Sequence, residues 1–179
     1  MSLYIEFTRH YKRDAVETEL TRYGTLALDE IEQDLKMAEI SFIDGGMTGL
    51  DRLSMQIPGE RYYDPWIDVS YTANRNQGVL ANGNPLPRNR SGSINYAGGA
   101  FRFPNYGYLF ENPELEVEVT DFSVEEWVPE PFNASLVHMK QYIYRIHLQL
   151  TMEYPGSEET QTKIYNFERL VFQDRKTVP

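Results

Sequence analysis

The chain has 179 residues, of which 41% are hydrophobic and 13% aromatic, so it is long and apolar enough to fold as one domain over residues 1–179. Its formal net charge of −10 argues against a nucleic-acid partner, since nucleic-acid binding depends on a concentrated positive field. It has no cysteine, which excludes disulfides and thiol chemistry, and no apolar run approaches the ~20 residues needed to cross a bilayer.

Residues 14–38 predict one amphipathic helix. Apolar residues recur at steps of three or four and form a single stripe, made of Val16, Leu20, Tyr23, Ala27, Ile31, Leu35 and Ala38. Charged residues cover much of the remaining surface and are expected to face solvent, namely Arg13, Glu17, Glu19, Arg22, Asp29, Glu30, Glu32 and Lys36. We therefore expect the stripe to pack on a hydrophobic surface, with Leu28, Ile31 and Leu35 buried.

Upstream, an aromatic-rich segment continues this helix without a capping box, so the assigned helix covers residues 1–40. The absence of a start signal favours a native helix that begins earlier than this sequence. Tyr4, Phe7 and Tyr11 precede the apolar stripe and are expected to stay exposed. Exposed apolar side chains of that kind often mark an interaction site, so these three residues are the candidate partner-binding residues.

Strand patterns dominate residues 50–179. After a predicted glycine-rich turn at 40–49, alternating apolar residues predict the strands 53–57, 67–73, 78–81, 115–127, 142–154 and 163–173. The strand 142–154 is the longest and is expected to be central, while Glu168 and Arg169 suggest a bulge in the last strand. The fold class predicted is α+β, with a long N-terminal helix packed on a mainly antiparallel sheet.

Residues 82–107 interrupt the pattern, because they are rich in Asn, Gly, Pro, Ser and Arg and have no sustained period. We interpret them as an irregular surface loop in preference to a ligand-binding loop. The sequence contains no motif with the residue spacing of a known catalytic or metal-binding site. His147 lies on the polar side of its strand and is expected to be solvated. The sequence therefore predicts no catalytic residue, no cofactor and no metal, and a protein that is not an enzyme.

Five segments follow one another in a distinctive order. They are the helix end 26–38 (with Asp-Leu-Lys-Met-Ala), the strand 50–57, the hairpin 67–80, the strand 116–125 and the closing hairpin 143–175. This order resembles the type IV pilin-like proteins, and specifically the minor pseudopilins of the J class in type II secretion and the related W-class minor pilins. The chain departs from the family pattern in the spacing of Val171 and Arg175, one residue longer, and in the loop 82–107.

The resemblance implies a structural subunit of a type II secretion or type IV pilus-like apparatus that works in protein transport. It implies a hydrophobic half-helix, with a processing and methylation site, ahead of the residues seen here. The resemblance also implies that the subunit is located in the bacterial inner membrane with its folded domain in the periplasm, or outside the cell on a pilus. Partners would be other minor pilins or pseudopilins, with membrane contact only through that half-helix.

A different class of function is also open. An extracytoplasmic carbohydrate- or ligand-binding β domain could use Tyr62, Tyr63, Trp66 and Tyr106 as a stacking surface, since aromatic rings stack on sugars and on flat ligands. The sequence upstream of residue 4 discriminates between the two classes, because a basic leader and ~20 apolar residues would favour a pilin.

Overall fold

A computed structural model describes residues 2–38, 40–45, 50–59, 65–86, 115–126, 143–155 and 159–173. Within them, one helix, α1 (Ser2–Met37), is followed by strands alone. The strands are β1 (Ile40–Asp44), β2 (Arg52–Ile57), β3 (Ile67–Asn74), β4 (Gly78–Ala81), β5 (Asn84–Pro85), β6 (Glu116–Glu126), β7 (Ile143–Pro155) and β8 (Thr160–Phe172). The predicted α+β class and the long N-terminal helix are confirmed.

The strands form two antiparallel sheets where the sequence predicted one. The first has the order β1-β2-β3-β4-β5 and the second the order β6-β7-β8, so β7 is central in its sheet as expected for residues 142–154. A parallel bridge between Leu50 and Phe122 joins the sheets, and the Val119 N–H of β6 donates to the Arg75 carbonyl after β3 at 2.9 Å. There the Asp51 N–H donates to the Phe122 carbonyl at 2.8 Å, and the Val124 N–H donates to the Asp51 carboxylate at 2.9 Å.

Two local predictions are wrong. Residues 40–49 do not begin as a turn, because β1 pairs directly with β2, from Ile40 opposite Gln56 to Asp44 opposite Arg52. The backbone hydrogen bonds of this pairing outweigh the glycine signal, and Gly45 only follows the strand.

The bulge expected at Glu168 and Arg169 is also absent, since β8 keeps an unbroken register with β7. The irregularity lies in β6, between Val119 and Asp121. Arg169 interrupts the apolar alternation for another reason: it faces α1 and binds the carboxylates of Asp29 and Glu32, so a charged residue occupies the inner side of a regular strand.

The first residues of the segment 82–107 are ordered as a hairpin. Asn82 and Gly83 connect β4 to β5 with φ angles of 50° and 77°, the left-handed pair that a two-residue type I′ turn requires. The Asn82 side chain also accepts from the Ser70 N–H at 2.7 Å, which ties the turn to β3. Residues 87–107 lie outside the described residues.

The apolar stripe of α1 is buried throughout, and the predicted burial of Leu28, Ile31 and Leu35 is confirmed. Two polar contacts anchor the same helix to the five-stranded sheet. The Tyr71 hydroxyl donates to Asp34 at 2.7 Å, and the Val79 N–H donates to the Tyr23 oxygen at 2.6 Å. Burial raises the pKa of Tyr23 far above its usual range, so the phenol is neutral.

Along its other side, α1 follows β8 over most of the strand's length. Glu17 binds Lys163, Gly24 lies against the Phe167 ring, and the Gln173 side chain donates to the carbonyl of Ala38 just after the helix. The helix advances roughly 31 Å from residue 17 to residue 38, and the strand roughly 33 Å from residue 163 to residue 173. The two elements therefore run side by side in the same direction.

Candidate interaction surface

The first part of α1 differs from the rest in that its described side chains are exposed or only partly buried. Before Val16, none of its described side chains is buried. Residues 2–12 amount to about 16 Å of helix at 1.5 Å per residue. The apolar side chains of this segment are therefore available to a partner.

Tyr4, Phe7 and Tyr11 form an aromatic stripe on this segment. Their exposed fractions are 77%, 71% and 62%, and their spacing of three and four residues places them on one face. At about 100° per residue this face lies roughly 180° around the helix from the stripe that packs on the sheets. The aromatic stripe is therefore directed away from the core and is not an extension of the core stripe.

A charged and aromatic cluster holds the helix where its buried part begins. Lys163 Nζ lies 2.6 Å from Glu17 Oε2 and 5.6 Å from the centre of the Tyr165 ring. The Arg13 guanidinium lies 5.2 Å from the centre of the Tyr154 ring, so both cations face aromatic π-systems. Burial, with the charge of Glu17 beside it, raises the pKa of the Tyr165 phenol. We call these five residues the clamp.

The sequence analysis missed the clamp, because it assigned Arg13 and Glu17 to the solvated side of the helix. Glu30, assigned to the same side, is buried. The physical reason is that α1 touches both sheets, so a wider arc of its surface is covered than one apolar stripe predicts. A usable signal was the alternation of Lys163, Tyr165 and Phe167 on one face of β8, which suits a partner surface that carries carboxylates.

Downstream of the clamp, the outer face of α1 is lined by threonines. The hydroxyls of Thr18, Thr21 and Thr25 each donate to the carbonyl four residues earlier, at 2.9, 2.9 and 3.0 Å. These bonds satisfy the hydroxyls within the helix. An open groove of about 780 Å³ lies between α1 and β8. Its lining consists of these three threonines together with Asp14, Glu17, Arg22, Leu26, Lys163 and Tyr165.

Of the aromatic residues proposed for a ligand surface, only Trp66 is described. It precedes β3 and is 50% exposed. Tyr62, Tyr63 and Tyr106 lie outside the described residues, so the stacking surface stays a prediction.

His147 is not simply solvated, as was expected. Its Nδ1 lies 2.7 Å from the Asp121 carboxylate, across the pairing of β7 with β6. In the described part of the chain no group of three or more His, Asp or Glu side chains converges on a point where a metal ion would bind. The pair therefore belongs to a polar, hydrogen-bonded outer sheet face.

Comparison of the chain with protein-family models, curated proteins and solved structures finds no match. Among the described residues, no helix combines the length and the apolar character that crossing a membrane requires. A functional assignment therefore rests on the geometry of α1 and on the resemblance in the order of elements.

Proposed function

We propose that this chain is the folded domain of a minor pilin or pseudopilin, a structural subunit that assembles with other pilin-like subunits through its first helix. The observation that carries the proposal is the aromatic stripe of Tyr4, Phe7 and Tyr11, exposed on a helix whose remaining length is fixed to the sheets. The helix–sheet architecture and the order of the segments support it. Such a subunit acts by packing and needs no catalytic group.

The stripe offers enough apolar surface for specific association. Full burial of a large apolar side chain contributes about 1.5–3 kcal/mol, so three aromatic residues contribute roughly 5–9 kcal/mol before the costs of association. The clamp supports this role, since it fixes the direction in which the stripe is presented. A fixed stripe loses less entropy on binding than a mobile one.

The proposal includes a location. The resemblance assigns a hydrophobic half-helix to the gene upstream of residue 4, which would anchor the subunit in the inner membrane and leave this domain in the periplasm, or outside the cell on a pilus. The upstream genomic sequence tests this directly. A short basic leader followed by ~20 apolar residues supports it, and a gene that begins at Met1 contradicts it.

The assembly role is tested by replacing Tyr4, Phe7 and Tyr11 together with serine. We expect an almost unchanged thermal midpoint, because these side chains are exposed, and a loss of co-purification with partner pilin domains and of secretion in cells that carry the full-length gene. The matched control replaces Glu6 and His10 with serine, which are exposed positions on a different face of the same segment.

Normal assembly of the aromatic variant would overturn the proposal. If changes at Tyr62, Tyr63 or Trp66 then abolished binding of a sugar or small ligand, the ligand-binding function would be the better account. Loss of assembly in the control variant as well would show that the helix, and not the stripe, is what assembly requires.

A further inference from the structure

The turn between β4 and β5 carries a chemically labile pair of residues. Asn82-Gly83 is the one place in the sequence where glycine directly follows asparagine. In such a pair the backbone nitrogen of the second residue can attack the side-chain carbonyl carbon of the asparagine. Glycine hinders this attack least because it has no Cβ. Both residues are exposed, so water can reach the product of the attack.

The reaction is intramolecular and needs neither an enzyme nor an oxidant. The Gly83 nitrogen loses its proton to base and bonds to Cγ of Asn82, the Cγ–Nδ2 bond breaks, and Nδ2 takes up a proton and leaves as ammonia. Water then opens the resulting five-membered succinimide ring at either carbonyl. One opening gives aspartate, and the other gives isoaspartate, in which the main chain runs through the former side chain.

In the folded chain the Asn82 amide is held against β3. Its Oδ1 accepts from the Ser70 N–H at 2.7 Å and from the Ser70 hydroxyl at 3.2 Å, and its Nδ2 donates to the Asp68 carbonyl at 3.0 Å. The Asn82 N–H also donates to the Ser70 carbonyl at 2.8 Å. Asn82 and Ser70 therefore exchange two bonds as paired strand residues do, with the Asn82 side chain in place of its carbonyl.

These contacts oppose ring closure. Cγ must come within bonding distance of the Gly83 nitrogen, but hydrogen bonds to β3 fix both the oxygen and the nitrogen of the Asn82 amide. The left-handed φ angles of the two residues are fixed as well, because β4 pairs with β5 on either side of them. The attack therefore requires that the amide first leaves β3 and the turn opens.

We propose that Asn82 is a site of spontaneous deamidation whose rate is set by the release of its amide from β3. Conversion replaces the Nδ2 donor to the Asp68 carbonyl by a negatively charged oxygen that this carbonyl repels. Isoaspartate also adds one carbon to the main chain of a two-residue turn. Both products weaken the attachment of the turn to β3, so a transient opening becomes a lasting one. The site is separate from the aromatic stripe, and the proposed assembly role does not depend on it.

Peptide mapping by mass spectrometry, with aspartate and isoaspartate separated by chromatography, tests the inference. The whole chain is incubated in mildly alkaline buffer, once folded and once in urea above its unfolding midpoint. In urea, Asn82 should convert faster than every other asparagine, because it alone precedes glycine. In the folded chain its conversion should be slower by about tenfold or more, because the reaction must wait for local opening.

The variant Ser70→Ala makes the result specific to the contact with β3. It removes the hydroxyl that donates to Asn82 Oδ1, so Asn82 in the folded protein should convert faster by roughly twofold or more. The matched control is Ser123→Ala, the same substitution at a partly buried position of β6, which should leave the rate unchanged. In urea all three proteins should convert Asn82 at the same rate, because the contact no longer exists.

Equal rates at Asn82 in the folded and the unfolded chain would overturn the inference, as would a Ser70→Ala rate no higher than that of Ser123→Ala. The variant Asn82→Asp reproduces one product and should have a lower thermal midpoint than the unchanged protein. A midpoint that is not lower would contradict the proposed loosening of the turn. Since Tyr4, Phe7 and Tyr11 play no part in these measurements, their failure is distinguishable from failure of the proposed function.

Discussion

Replacing Gly24 with alanine should destabilise the protein, although alanine is the better helix former. Gly24 lies in the interior of α1, where alanine is favoured over glycine by about 1 kcal/mol. A Cβ at this position would lie 2.5 Å from the Cε2 and Cζ atoms of Phe167. Carbon atoms in good contact are about 3.5–4.0 Å apart, so the ring would have to move by about 1 Å or more.

Neither partner can retreat easily. Contacts on both sides of Gly24 fix the helix, through Glu17 with Lys163 and through Asp29 with Arg169. The Phe167 backbone is held in register opposite Leu148. Overpacking of this kind costs about 1–3 kcal/mol. The gain in helix propensity offsets part of this cost, so the free energy of unfolding should fall by about 1 kcal/mol, within a range of about 0–2 kcal/mol.

Urea unfolding measures this change as a shift of the midpoint at constant slope. In a Phe167→Ala background the obstacle is gone, so Gly24→Ala should there raise the free energy of unfolding by up to about 1 kcal/mol. Thr25→Ala, exposed and one residue further on, is the matched control and should be neutral or slightly stabilising. If Gly24→Ala stabilises the otherwise unchanged protein by about 1 kcal/mol, the reasoning is refuted, because the ring must then yield at no cost.

Two further predictions concern the buried face of α1. Leu35→Ala should lower the free energy of unfolding by about 2–5 kcal/mol, since it leaves a cavity at a fully buried site; a change below about 0.5 kcal/mol in chemical denaturation would show that this face is not core. Because burial raises the pKa of Tyr23, its contribution to stability is complete below the unfolded pKa of about 10 and is lost as pH rises above that value. Tyr23→Phe should lower the free energy of unfolding at neutral pH by about 1–3 kcal/mol, because the Val79 N–H loses its acceptor. The thermal midpoint of this variant should also fall less steeply at alkaline pH than that of the unchanged protein. Equal declines in the two proteins would contradict the prediction.

The elements that sequence reasoning predicted well are those with long, regular periods. α1 and β7 repeat their apolar pattern over many residues, and the hairpin of β3 and β4 has a clear turn between alternating strands. In these cases the local pattern and the tertiary environment agree. The aromatic stripe was also predicted correctly as exposed, because its residues fall outside the helical period of the core.

The missed features depend on contacts between distant parts of the chain. The clamp joins residue 13 to residue 154 and residue 17 to residue 163, and no local pattern encodes such pairs. β5 differs from these features because it does have a local signal: an Asn-Gly pair, the strongest short signal of a hairpin, connects it to β4. The irregular composition of the residues that follow hid this signal. The division into two sheets could not be predicted, since the bridge of Leu50 to Phe122 leaves no trace in either segment.

The side-by-side course of α1 and β8 has a consequence for synthesis on the ribosome. The helix is complete at residue 37, but the strand that it follows begins at residue 160. At about 5–20 residues per second, roughly 6–25 s separate the two. During that interval α1 can already pack on β3 and β4 through Tyr23 and Asp34, whereas the side of the helix that carries Gly24 and Asp29 still lacks β8.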